Sequence, residues 1–204
     1  MSLVDRAKNI ILKPKEEWPV IAAEPATVGG LFTGYAAILA LIPLVTNILF
    51  VGLLGIGAMG MGGAAAGGMT FIAATAVIGY FIGLGLLWLV AFIVNAIAPS
   101  FNGKQDMVQA TKLMVYAATP TWVAGLVSWI PILGMLVAFA AIAYVVYLIY
   151  LGVNPVLSVP EDKVAGMTVV TVLIYIVASL VIGAIIAAAV MTMFFSGAMM
   201  GGGL

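Results

Sequence analysis

The chain has 204 residues, of which 65% are hydrophobic and 7% charged, with seven Lys/Arg balanced by seven Asp/Glu. A soluble domain carries about 25% charged residues, so this composition is that of a polytopic membrane protein, and zero net charge leaves no basic face for nucleic acid. There is no Cys and no His, which removes disulfides, thiolate metal sites and the usual general base.

Residues 1–27 read as a cytoplasmic amphipathic leader ahead of a transmembrane domain, 28–204. Charges are mixed through its first 24 residues with no apolar core between them, so it does not read as a signal peptide. In "SLVDRAKNIIL", Leu3, Val4, Ala7, Ile10 and Ile11 share a helical face until Pro14 stops the helix. A helix of this kind lies in the membrane interface, and Trp18, with Lys13 and Lys15, is the expected interfacial anchor. The other reading is a frayed tail, and the periodicity favours the helix. Glu16, Glu17 and Glu24 weigh against a polybasic lipid-binding site.

No charged residue occurs from Pro25 to Gly103. Five apolar segments follow the leader, at about 28–51, 70–97, 107–129, 131–151 and 167–195. Each is long enough to cross a bilayer as a helix, and nothing alternates as barrel strands would. The expected fold is all-α: five transmembrane helices with a short N-terminal interfacial helix. Thr27 is the expected N-cap of the first span. The Gly-rich stretch 54–69 reads either as a loop or, around Ala64 to Ala66, as a backward extension of the second helix. "SWIP" allows only a tight turn between the third and fourth spans. In "YLGVNPV", Gly152 and Pro155 read as a helix stop.

With five spans, all seven basic residues (Arg6, Lys8, Lys13, Lys15, Lys104, Lys112 and Lys163) fall on one side. The positive-inside rule then puts the N-terminus in the cytoplasm and the C-terminus outside.

Within the spans, Pro43 and Pro120 interrupt the first and third helices, freeing the carbonyls of Leu39 and Tyr116. Asn47 and Thr119 stand beside them. One reading is a pair of kinks lining a polar cavity, with Pro43, Asn47, Tyr116, Thr119 and Pro120 as hinge or wall. The other, which the sequence favours, is ordinary membrane proline with Thr satisfying the freed carbonyl. Asn47, Asn95, Gln109 and Lys112 are the side chains most in need of partners, and Lys112 is expected to snorkel to the cytoplasmic face. "GYFIG" (79–83) and "GAIIA" (183–187) allow close helix approach, within the chain or in a homo-oligomer. Tyr144, Tyr147 and Tyr150 read as an aromatic belt. Met59, Met61 and Met69 offer thioethers suited to Cu(I), although filling of irregular packing explains them as well. No cofactor is expected. Ser128 and Ser179 stand alone in apolar surroundings, no nucleophile–base pair is placed to work, and the chain does not read as an enzyme.

The leader "ILKPKEEWPVIAAEP", then "YAATPTWVAGL", "YVVYLIYLGV" and "VPEDKVAG" together resemble the Yip family of Ypt/Rab-interacting proteins, in its bacterial branch. That resemblance implies five spans and a cytoplasmic N-terminus. It also implies a membrane organiser or adaptor whose partner is another membrane or cytoplasmic protein, a Rab-type GTPase in eukaryotic members. Their longer N-terminal domain and its "DLYGP"-type motif have no counterpart in this leader. The alternative is a small-molecule or ion transporter built around the two prolines. A bacterial inner membrane is the expected location.

Overall fold

The computed structural model describes residues 1–50 and 65–201, with side chains described for 1–50, 73–130 and 132–186. Every regular element among the described residues is helical.

The leader folds as two helices. Ser2 caps α1 (Leu3–Leu12), its Oγ accepting from the Asp5 N–H at 3.1 Å. Pro14 ends that helix and opens α2 (Pro14–Ala23), at a first-turn position where a missing N–H breaks no intrahelical bond. Thr27 caps the first span as expected, its Oγ1 accepting from Gly30 N–H at 3.0 Å. That span, Val28–Phe50, is helical at Val28–Leu31, widens into a π-turn at Phe32–Ala36, and resumes as α-helix over Ala37–Thr46 through Pro43.

The second helix runs Ala65–Ile97, so the last five residues of the Gly-rich stretch belong to it. Residues 54–64, including Met59 and Met61, lie outside the described residues, as does the side chain of Met69. A 3-10 turn, Ala98–Phe101, then leads to Asn102 in the left-handed region at φ 59°.

The third expected span is not one helix. It comprises Met107–Ala117, Thr119–Ala124 and a 3-10 turn at Gly125–Val127. Asp106 starts it by accepting from Val108 and Gln109 N–H at 2.8 and 3.1 Å. Pro120 explains the break, because it removes the donor that would bond the Tyr116 carbonyl. Among the described residues, four helices are therefore long and apolar enough to cross a membrane: Val28–Phe50, Ala73–Phe101, Ile132–Leu157 and Glu161–Ile186.

Two further boundaries differ from expectation. The fourth helix, Pro131–Leu157, continues through Gly152 and Pro155 and ends at Ser158, which is left-handed at φ 55°. Gly152 is there for packing: a methyl at this position would lie 2.6 Å from Leu113 Cδ1 and 2.8 Å from two indole carbons of Trp18. Asn154 supports the late end, donating from Nδ2 to the Val159 carbonyl at 2.8 Å. The fifth helix starts at Glu161 rather than near 167 and reaches Gly201. Glu161 and Asp162 lie in its first turn, where carboxylates complement the helix dipole.

The first and third segments advance side by side in the same direction. Lys112 meets the end of α2, Thr119 meets Tyr35, and a Cβ on Gly125 would sit 2.9 Å from Pro43 Cβ. The fourth helix returns to the leader's side, where the Tyr144 hydroxyl donates to the Ile11 carbonyl at 2.6 Å and Lys104 N–H donates to Leu157 at 2.7 Å. The core concentrates at this end. Ile10, Trp18 and Ile21 of the leader are buried there with Val94, Leu113, Leu148, Val153 and Met167. Among the four long apolar helices, the described part of the fifth, Glu161–Ile186, is the least embedded.

Candidate functional site

Two places gather polar side chains: the seat of the leader on the bundle and a cavity beside Pro43.

At the seat, Arg6 points inward. Arg6 and Ile10 are four residues apart and so share a helical face, and both are buried with Ala7. The guanidinium pairs through Nη1 with Glu17 of α2 and through Nη2 with Glu24. Its Cζ lies 5.7 Å from the ring centroid of Tyr116. The Glu17 carboxylate is nearly as buried as Arg6, whereas Glu24 is 44% exposed. A buried ion is tolerated only when paired in this way.

Lys112 does not snorkel. It is 2% exposed, and its Nζ donates to the carbonyls of Ala22 at 3.2 Å and Glu24 at 2.6 Å. Gln109 Nε2 adds a bond to the Ala22 carbonyl at 3.0 Å. The last carbonyls of a helix have no partner within it, so a cation from the third segment closes α2 and complements its dipole.

Trp18 is likewise inside rather than at an outer surface. It is 1% exposed and fills the notch left by Gly152. The indole's large apolar area outweighs its tendency to face the interface once a glycine admits it. Lys13 and Lys15 remain exposed.

Along the seam between the first and third segments, the Thr119 hydroxyl donates to the Tyr116 carbonyl at 2.8 Å, replacing the bond that Pro120 removes. With its proton used, Thr119 Oγ1 accepts from the Tyr35 hydroxyl at 2.9 Å. Tyr35 packs edge-on to Tyr116 with ring centroids 4.7 Å apart, and lies 6.4 Å from the Trp122 ring. On the leader side of this plug is a space of about 310 Å³ reached by Arg6, Glu24, Tyr35 and Tyr116. Beyond it is a cavity of about 540 Å³ whose wall includes Pro43, Asn47, Tyr80, Thr121, Trp122 and Tyr175.

Among the described residues, no charged side chain lines that larger cavity. Asn47 Nδ2 donates to the Pro43 carbonyl at 2.9 Å, Thr121 Oγ1 to Ala118 at 2.6 Å, and the Tyr80 hydroxyl to Ala37 at 2.9 Å. Gly79 and Gly83 of "GYFIG" also face it, and a Cβ on either would meet nothing within 4 Å. Among the described residues, then, no other helix approaches the motif's glycines closely.

The Yip1 domain family matches residues 8–183. The chain belongs to this family. The match takes in most of the leader and runs into the fifth helix of this Yip1-domain protein. No curated protein and no solved structure matches the chain.

Of the residues singled out from the sequence of the Yip1-domain chain, Pro43 and Asn47 reach the cavity, while Tyr116 and Thr119 belong to the plug and Pro120 creates the break between them. Tyr144 ties the fourth helix to α1, and Tyr147 and Tyr150 are exposed. Sequence reading missed Arg6, Glu17, Tyr35, Tyr80, Gly125 and the packing role of Gly152. Arg6 had a legible signal, its four-residue spacing from Ile10. The others depend on contacts between distant segments.

Proposed function

We propose that this Yip1-domain protein is a membrane organiser that engages another membrane or cytoplasmic protein through its leader and the loops beside it. The observation carrying this reading is the seating of α1 and α2. Arg6, Trp18 and Lys112 pin the two helices, so the exposed Asp5, Lys8, Lys13, Lys15 and Glu16 stand on a fixed platform rather than a tail. A preordered surface binds without first losing conformational entropy. We further infer five crossings, the broken third segment being one of them. Its 21 residues from Met107 to Val127 would cover about 30 Å at helical rise, the thickness of a bilayer core. The leader, the loop carrying Lys104 and the start of the fifth helix with Lys163 then face the cytoplasm, and a bacterial inner membrane suits that arrangement.

Affinity purification in mild detergent followed by native mass spectrometry tests the reading. Deleting the leader is a poor perturbation, because Ile10, Trp18 and Ile21 belong to the core. The combined exchange Lys8→Gln, Lys13→Gln and Glu16→Gln neutralises exposed leader charges and keeps Arg6 and Lys15 to hold the orientation. A second protein that copurifies with the native chain and is lost from this variant supports the organiser. A chain that emerges alone, or only with copies of itself, refutes it.

A second reading, passage of a small solute between the two prolines, has the 540 Å³ cavity in its favour. The plug of Tyr35, Tyr116 and Thr119 stands between that cavity and the leader side, which favours a holding site over a conduit. Liposome flux that changes in Pro43→Ala and Pro120→Ala would revive the solute pathway.

A further inference from the structure

We propose that the cavity beside Pro43 is a binding site for an uncharged lipid that carries a free hydroxyl, such as a diacylglycerol or a long-chain alcohol. Three features of the wall define that ligand.

The first is charge. Among the described residues, no Asp, Glu, Lys or Arg lines the cavity, and the ionic cluster of Arg6 lies with its carboxylates on the other side of Tyr35 and Tyr116. An ionised headgroup held here would have no counter-charge in a low-dielectric setting, where that is strongly unfavourable. Phosphate-bearing lipids are therefore disfavoured.

The second is hydrogen-bond polarity. The hydroxyl protons of Tyr80 and Thr121 and one amide proton of Asn47 are already given to backbone carbonyls. What these three residues leave free is mainly acceptor capacity: the lone pairs of Tyr80 Oη and Thr121 Oγ1, and Asn47 Oδ1. Trp122 Nε1–H and the Tyr175 hydroxyl add donors to the same wall. A ligand hydroxyl both donates and accepts and so serves the whole wall, whereas an ester or ether oxygen only accepts.

The third is shape and depth. Ala40, Leu44, Ala76, Leu84 and Leu87 provide apolar wall, and Gly79 and Gly83 leave an open floor on which a hydrocarbon chain can lie. About 540 Å³ falls within the usual 300–1,000 Å³ of small-molecule sites. Pro43 lies 15 residues past Val28, about 22 Å along the helix, which places the site within the bilayer where lipid enters without crossing water. The Tyr35 plug makes the cavity blind on the leader side, as a holding site requires.

The test uses the purified full chain in phosphatidylcholine nanodiscs with a diacylglycerol bearing a photoreactive diazirine on its acyl chain. After illumination, labelled peptides are mapped and labelling is quantified against competitor lipids. Labels should concentrate on peptides containing Asn47, Thr75–Leu87 and Thr121. Unlabelled diacylglycerol should compete at least about tenfold better than its hydroxyl-methylated ether or the corresponding phosphatidic acid, the scale expected when acceptors facing lipid rather than water lose their donor. Gly83→Leu fills the floor and should lower labelling about tenfold or more. Gly85→Leu is the matched control: a Cβ there also meets nothing within 4 Å, but Gly85 does not line the cavity, so its labelling should be unchanged. Labels spread evenly over the spans would overturn the proposal. So would equal competition by the methyl ether, or equal labelling of Gly83→Leu and the native chain. A Gly83→Leu variant that loses a dimer while keeping full labelling would overturn it too, making Gly83 a seam between copies.

Discussion

Replacing Arg6 with Met removes the one cation shared by Glu17 and Glu24, and the consequence follows from their unequal exposure. The Glu17 side chain is 7% exposed and would be left in the core without its partner, while Glu24, at 44%, can turn to solvent. Leaving one member of a buried ion pair without its partner costs about 3–5 kcal/mol, and the Glu24 contribution is small because water screens it. Local opening of α1 should therefore increase by about a hundredfold to a few thousandfold, at 1.4 kcal/mol per tenfold. Hydrogen exchange at the α1 amides, followed by mass spectrometry of the 1–24 peptides, reads this directly, because protection tracks local opening free energy. The double exchange Arg6→Met with Glu17→Met should restore most of the protection, since an apolar pair of similar size replaces a buried ion pair at little loss. Unchanged exchange in the single variant would refute the reasoning. So would a double variant as exposed as the single one, since the defect would then lie in lost packing and not in an unpaired carboxylate.

Three other contacts are probed by substitution. Gly152→Ala should destabilise the fold by about 1–3 kcal/mol through overpacking, seen as a lower thermal midpoint in detergent, and Trp18→Phe should relieve part of it by shrinking the side chain in the notch. Lys112→Met leaves the Ala22 carbonyl with Gln109 and removes the side-chain donor to Glu24. It should loosen the end of α2 by about 1–3 kcal/mol, read as faster exchange at Ile21 to Glu24. Thr119→Val removes the donor to Tyr116 and the acceptor for Tyr35 together. A loss of about 1–3 kcal/mol and faster exchange on both sides of Pro120 are expected, with the leader's protection unchanged.

The long apolar runs made the helical class and most span positions legible, because lipid leaves the backbone no other partner. Thr27 was legible as a cap and Asp106 could have been, since both cap interactions are local. The failures share one cause. Gly152 and Pro155 carry the signature of a helix stop, yet Gly152 serves a tryptophan 134 positions away in sequence. Trp18 has the composition of an interface anchor, but no local pattern announces the notch that buries it. Lys112 reads as a snorkelling lysine because the carbonyls it closes belong to a different segment. The prolines gave a mixed result: the Thr119 bond to Tyr116 is the ordinary repair for membrane proline, and a cavity nevertheless opens beside Pro43. Its wall joins Asn47, Tyr80, Thr121 and Tyr175 from four segments, an assembly that spacing along the chain does not encode.

The five-crossing arrangement, with the leader and the basic loops sharing one face, is tested most directly by cysteine accessibility. The chain contains no Cys, so single cysteines report without background. Lys8→Cys, Lys104→Cys, Asp162→Cys and Ser128→Cys would be labelled with a membrane-impermeant maleimide in intact cells and in inverted vesicles. Five crossings predict that positions 8, 104 and 162 react only in inverted vesicles and position 128 only in intact cells. If the broken third segment turned back instead of crossing, positions 128 and 162 would exchange sides, and the shared face would be contradicted.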